Sequence, residues 1–205
     1  GSVLVPALMF IFYGMGFEES IVIYLAIGTS LTSIFFSALS SAYSHHLKQS
    51  VEWPLVIPLS IGMVAGALIG AKYAISLESN HLKLIITIFL FAVGAEMVFG
   101  YSQFIINKTK KKLSISNITA PVHGAWIGFL SSIIGIGGGS FTTPLMIAGG
   151  YNIRKGIGTA AACGVPIAIA GALGYMLFGQ GNINLPSFTS GFVFWPAVAA
   201  ISFAS

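Results

Sequence analysis

The residues best suited to chemistry in this chain are small and uncharged. Gly137, Gly138 and Gly139 are followed by Ser140, Thr142, Thr143 and Pro144 in the run GIGGGSFTTPLM, which begins at Gly135. Consecutive glycines permit backbone conformations and close approaches that side chains forbid, so regular helix must fail there. Ser140 is expected to cap the helix that follows, with Pro144 tolerated in its first turn. The unpaired amides of a helix start, at the positive end of its dipole, form an anion site. Ser140, Thr142 and Thr143 can add hydroxyl donors. A second small polar group comes from Gly158 and Thr159 in the run GIGTA.

Both runs have an earlier counterpart. GSVLVPAL at the start of the chain matches GSFTTPLM at Gly, Ser and Pro, which pairs Ser2 with Ser140 and Pro6 with Pro144. IGTS, holding Gly28, Thr29 and Ser30, matches IGTA, and the order of the motifs is kept. Pro58 is a weaker partner for Pro196, because the spacing between matches shifts by about eight residues on the way. Sliding a chain against itself in this way is the test for internal repeats. The repeat divides the chain into residues 1–106, a first copy lacking its opening segment; 107–117, a basic cytoplasmic linker; and 118–205, a second copy lacking its closing helices. The opening Gly-Ser can alternatively be read as a cloning scar.

The elements that must position these groups are set by composition. Apolar residues make up 56% of the chain and charged residues 7%, far below the roughly 25% charged residues of soluble domains. After Lys155 no charged residue occurs up to Ser205. Crossing a ~30 Å hydrocarbon core takes about 20 helical residues. Residues 20–43, 53–71, 84–106, 156–178 and 186–205 are long enough, whereas 3–17, 118–134 and 140–150 are short, which suggests broken or re-entrant helices. Continuous apolar runs without alternation favour helices over a barrel. The expected fold is an all-α integral membrane protein, a polytopic helical bundle of two inverted repeats with broken or re-entrant glycine-rich helices.

Inversion is read from charge. Short loops rich in Lys and Arg are retained in the cytoplasm, which puts His45, His46 and Lys48 on the same side as Lys108, Lys110, Lys111 and Lys112. Glu18, Glu19 and Glu78 then lie outside, while Arg154 and Lys155, in the matching position of the second copy, lie inside. Such repeats suit alternating access around a site near the midplane.

GIGGGSFTTPLM followed by GIGTAAACGVPIAIAGALGYML resembles the second half of the TauE/SafE sulfite and sulfonate exporter family, and GSVLVPAL with IGTS resembles its first half. The resemblance extends over nearly the whole chain. It implies a multi-pass protein of a bacterial plasma membrane that moves sulfite, a sulfonate or a related organosulfur anion, mostly outward. The first copy lacks the leading glycines of the pattern.

Other features are assigned beside these. Glu96 and His123, ionisable groups within spans, are candidates for coupling ion movement. Gly62, Gly66 and Gly70, four apart, read as a packing face. Cys163 alone allows neither an internal disulfide nor a cysteine metal cluster, and it reads as a small packing residue. His45, His46 and His81 are placed in loops, and the sequons at Asn107 and Asn117 on the cytoplasmic side. GIGTAA fits a dinucleotide-binding pattern without the strand that pattern needs. No catalytic residue, metal site or cofactor is expected. The expected partners are a small anionic substrate and membrane lipid, with no nucleic acid and with a homodimer left open. An intramembrane enzyme is the main competing class, but GxSxG, HExxH and a pair of intramembrane carboxylates are all missing from the sequence. A non-transporting membrane sensor or scaffold is the other.

Overall fold

The computed structural model describes residues 3–99, 119–181 and 185–204. Eight helices lie among them: α1 (Leu4–Gly14), α2 (Glu19–Leu47), α3 (Trp53–Ser76), α4 (Ser79–Phe99), α5 (Ala120–Ile134), α6 (Gly139–Ala148), α7 (Ile153–Phe178) and α8 (Trp195–Ala204). A short hairpin, β1 (Thr189–Ser190) with β2 (Val193–Phe194), is the one pair of strands among the described residues. Helices α2, α3 and α7 are long and apolar enough to cross a membrane. The protein is an all-α membrane protein.

Helix α2 is the centre of the molecule. Residues 21–33 are buried without interruption, the pattern of a helix surrounded by others rather than one facing a solvent. It packs antiparallel to α7 through small residues. A β-carbon on Gly171 would stand 2.8 Å from Leu31, and one on Gly164 3.5 Å from Ala38.

The tightest seam joins α3 to α5. A β-carbon on Gly62 would fall on the carbonyl oxygen of Pro121, one on Gly66 on that of Ala125, and one on Gly70 within 2.6 Å of that of Phe129. From the other side, Gly124 meets the carbonyl of Leu59 and Gly128 that of Met63. The two backbones touch because five glycines remove what would hold them apart, as in helix pairs of the small-xxx-small type. The packing face expected at Gly62, Gly66 and Gly70 is therefore observed, and Gly124 and Gly128 are its other half.

The short helices α1 and α6 end in the same cap. Gly16 (φ 78°) and Gly150 (φ 87°) take the left-handed conformation. The amide of Phe17 donates to Phe12 O at 3.1 Å, and that of Tyr151 to Met146 O at 3.1 Å. Glycine is favoured there because a β-carbon would be strained. The helix reaching the cap is one turn longer in α1, which runs eight residues beyond Pro6 against four beyond Pro144 in α6. The next helix is also one turn longer: Gly28 lies nine residues into α2, Gly158 five into α7. Two added turns account for the eight-residue shift between the sequence matches.

Three expectations change. The segment 186–205 is not one span. The chain turns at Phe188 (φ 65°) and Gly191 (φ 54°), forms the hairpin, and only then enters α8, with Pro196 in its first turn. Helix α2 extends past Tyr43 to Leu47, so His45 and His46 occupy its last turn rather than a loop. His81 likewise lies in the first turn of α4, 3.7 Å from Glu78. The lysine run and both sequons lie outside the described residues.

Candidate functional site

Helix α5 stops where Gly135 turns left-handed (φ 79°), and the chain re-enters helix through Gly138 (φ 70°), the N-cap of α6. Ser140 is thus the second residue of α6, not its cap, and no side chain caps this helix. The expectation for Ser140 fails because a left-handed glycine reverses the chain two residues earlier. Among the described residues, the amides of Gly137, Gly138, Gly139 and Ser140 find no acceptor. Four orphan N–H groups therefore gather at the positive end of α6.

Next to them lies a cavity of about 440 Å³ between α2, α6 and α7. Gly137, Gly139, Ser140 and Thr143 line one wall, Ile34, Ser37, Ala38 and Ser41 of α2 a second, and Ile157, Ala160, Ala161 and Gly164 of α7 a third. Among the described residues, the hydroxyls of Ser140, Thr143 and Ser41 have no hydrogen-bond partner, and that of Ser37 reaches Ile34 O at 3.2 Å. No acidic residue lines the cavity.

The three glycines differ in role. A β-carbon on Gly139 would meet no atom within 4 Å, so this residue opens onto the cavity. Gly138 faces the other way, against Ile167 and Ile127, with the buried Ser131 hydroxyl 3.6 Å from a β-carbon there. Ser131 Oγ and its neighbour Ser132 Oγ are buried without a hydrogen-bond partner among the described residues. Gly137 packs on Ile34.

The other residues picked out by sequence are held elsewhere. The Thr142 hydroxyl donates to Gly138 O at 2.9 Å and tightens the start of α6. Pro144 is exposed. Ser30 is buried and donates to Gly135 O at 3.0 Å, tying α2 to the glycine loop. Gly28 packs on the carbonyl of Phe192, and Thr29 Oγ1 accepts the amide of Phe194 at 3.0 Å. Gly158 packs on the carbonyl of Ser50, and Thr159 Oγ1 accepts the amide of Glu52 at 3.0 Å. Each Gly-Thr pair thus grips the chain leading into a Trp-Pro helix start, Trp53-Pro54 or Trp195-Pro196. These contacts set Pro54, rather than Pro58, opposite Pro196. Neither pair lines the cavity.

Pro6 lies half-buried in α1, and its neighbour Val5 reaches Gly135. Ser2 lies outside the described residues. His123 sits half-exposed in the first turn of α5, away from the cavity. Glu96 is placed by its backbone on α4, which does not line the cavity, and its side chain lies outside the described residues.

Sequence reasoning missed Ser37 and Ser41. Their signal was periodicity, since Ser30, Ser37, Ser41 and Ser44 fall on one face of a helix.

Apolar helices long enough to cross a membrane around a hydroxyl-lined cavity are the arrangement expected of a transporter-like membrane protein. The comparisons agree: the family model described as sulfite exporter TauE/SafE matches residues 1–205. The chain belongs to the TauE/SafE family. A probable membrane transporter protein of Haemophilus influenzae is 29% identical over 205 residues, covering 100% of this chain and 76% of its own length. The probable membrane transporter protein YdhB of Bacillus subtilis is 29% identical over 162 residues, 77% of this chain and 65% of its own length. A probable membrane transporter protein of Methanocaldococcus jannaschii is 25% identical over 194 residues, 91% of this chain and 70% of its own length. The chain thus spans 65% to 76% of the length of these relatives. No solved structure matches it.

Proposed function

We propose that the protein is a secondary transporter or uniporter that carries a small sulfur-containing anion outward across the plasma membrane by alternating access. The cavity beside Gly137–Ser140 is its binding site. The observation that carries this reading is the donor set, the orphan amides of Gly137, Gly139 and Ser140 and a group of hydroxyls, with no carboxylate among the described residues of the lining. A sulfite or sulfonate group presents only acceptor oxygens, which such donors match. Binding without a buried fixed cation leaves the anion able to leave again.

The recurring elements support alternating access. Two short helices, α1 and α6, end in the same glycine cap, and two Gly-Thr pairs grip two Trp-Pro helix starts. These are the parts an inverted repeat would exchange. With the basic end of α2 and α7 in the cytoplasm, the cavity loads from inside. An inside-negative potential then favours outward movement of a monoanion by about 2.3 kcal/mol per 100 mV.

The test is flux by the full-length protein in vesicles, with labelled sulfite and a short alkylsulfonate in parallel. Saturable, potential-dependent movement of either supports the reading. Chemical conversion without movement would assign an intramembrane enzyme, and no movement of any anion a sensor or scaffold.

A further inference from the structure

Exposure along the cavity walls rises toward one end, and Lys48 and Arg154 lie at that end. Along the α2 wall, Ser30 is fully buried, Ser37 and Ser41 are half-exposed, and Ser44 is exposed. Along α7 the same trend runs back from buried Gly164 through half-exposed Ala161 to Ile157, which is 44% exposed. Because the two helices are antiparallel, both gradients point the same way, toward the end of α2 and the start of α7. At 100° per residue, Arg154 shares a face with Ile157, Ala161 and Gly164, one turn nearer the opening. Lys48 shares a face with Ser37 and Ser41, about 10 Å beyond the latter.

Both cations are exposed, and neither has an ion-pair or hydrogen-bond partner for its side chain among the described residues. This sets them apart from their neighbours. Lys155 is held by Glu52 at 2.6 Å, on the opposite face of α7, and Lys83 at the far end of the molecule by Glu19 at 2.7 Å. Glu52 lies at the open end, and that ion pair neutralises it; Glu96, near the end of α4, has its side chain outside the described residues. Glu18, Glu19 and Glu78 lie at the other end.

We propose that Arg154 and Lys48 form a cationic entrance that draws anions into the cavity. They stand outside the donor-lined pocket and raise the local anion concentration at its mouth. Charged entrances with low-dielectric walls focus field lines in this way and accelerate encounter rather than tighten the bound state. The inference builds on the cavity as an anion site, but its test does not depend on transport.

The reporter is Ser140→Cys, with Ser37→Cys as a second, in a Cys163→Ala background of the full-length protein, each checked for folding. Its modification by an anionic and by a cationic methanethiosulfonate of similar size is timed. The ratio of the two rates reads the potential in the cavity. Arg154→Gln or Lys48→Gln should each lower the anionic-to-cationic ratio by roughly fourfold, and the double variant by about tenfold or more. Lys72→Gln, at the opposite end, should leave it unchanged. High salt should flatten the differences, since ~1 M salt shortens the screening length to about 3 Å.

A ratio that ignores both substitutions overturns the entrance, and so does an equal response to Lys72→Gln. In flux assays the double variant should lower kcat/KM by a similar factor with maximal flux retained. Loss of maximal flux alone would make these residues part of the moving machinery and overturn the proposal. If no anion is transported but the reagent ratio shifts as stated, the transport reading fails and the entrance stands.

Discussion

Gly138 and Gly139 are adjacent and chemically identical, yet a methyl group on each would meet different surroundings. On Gly138 it would strike Ile167 from a left-handed backbone, whereas on Gly139 it would enter open space on a helical backbone. Substitution therefore separates folding from binding. Gly138→Ala should destabilise the protein by about 1–2 kcal/mol from the left-handed conformation alone, with a further cost from the contact. Gly139→Val should leave the melting temperature in detergent nearly unchanged and abolish saturable flux by filling the cavity. Equal loss of stability in both, or wild-type flux in Gly139→Val, would remove the cavity from the mechanism. Ser140→Ala, which removes a free hydroxyl rather than a cap, should raise the apparent Kd for the anion roughly tenfold, in line with about 1.4 kcal/mol for one hydrogen bond to a charged group.

At the scale of elements, glycine spacing was the most legible signal and hydroxyl spacing the least. Gly62, Gly66 and Gly70 announce their seam in the sequence because only close backbones call for glycine every four residues. Gly124 and Gly128 repeat the spacing on the facing helix. Ser37 and Ser41 announce nothing until α6 is known to lie opposite them, since serines on a membrane helix can equally bond their own backbone. Thr142, Ser30 and Ser33 do so here, or bond a neighbouring carbonyl. The hairpin after α7 was illegible for a related reason. Phe192, Val193 and Phe194 are as apolar as a span, and the turn is marked only by the short run before them, Pro186 to Gly191. The seam yields its own prediction. Gly66→Leu should force α3 and α5 apart and lower stability by about 1–3 kcal/mol through overpacking. Gly94→Leu on α4, where a β-carbon would meet nothing, should cost little. Denaturation of purified protein in detergent, followed by helical signal, checks both.

The whole molecule poses the question of handedness across the membrane. Glu19 opens α2 and Arg154 lies in the first turn of α7, which runs antiparallel to it. Single cysteines at these two positions, in a Cys163→Ala background, should react with a membrane-impermeant thiol reagent from opposite sides of sealed vesicles. Labelling of both from the same side would contradict the inverted arrangement. The membrane class and the glycine loop were legible from composition and motif alone. What each hydroxyl is bonded to was not, because that depends on which distant segment the fold brings beside it: Phe194 beside Thr29, Glu52 beside Thr159.

The α3–α5 seam also bears on how the chain must be made. It joins a helix that precedes residues 100–118 to one that follows them, by backbone contact along three helical turns. Covalent continuity between the two parts is then dispensable once they have met. Two polypeptides divided within 100–118 and expressed together from separate start codons should assemble and copurify through a tag on one of them. Gly66→Leu in the first polypeptide should lower the yield of that copurification, and the packing of α2 along α7 should keep it from being lost altogether.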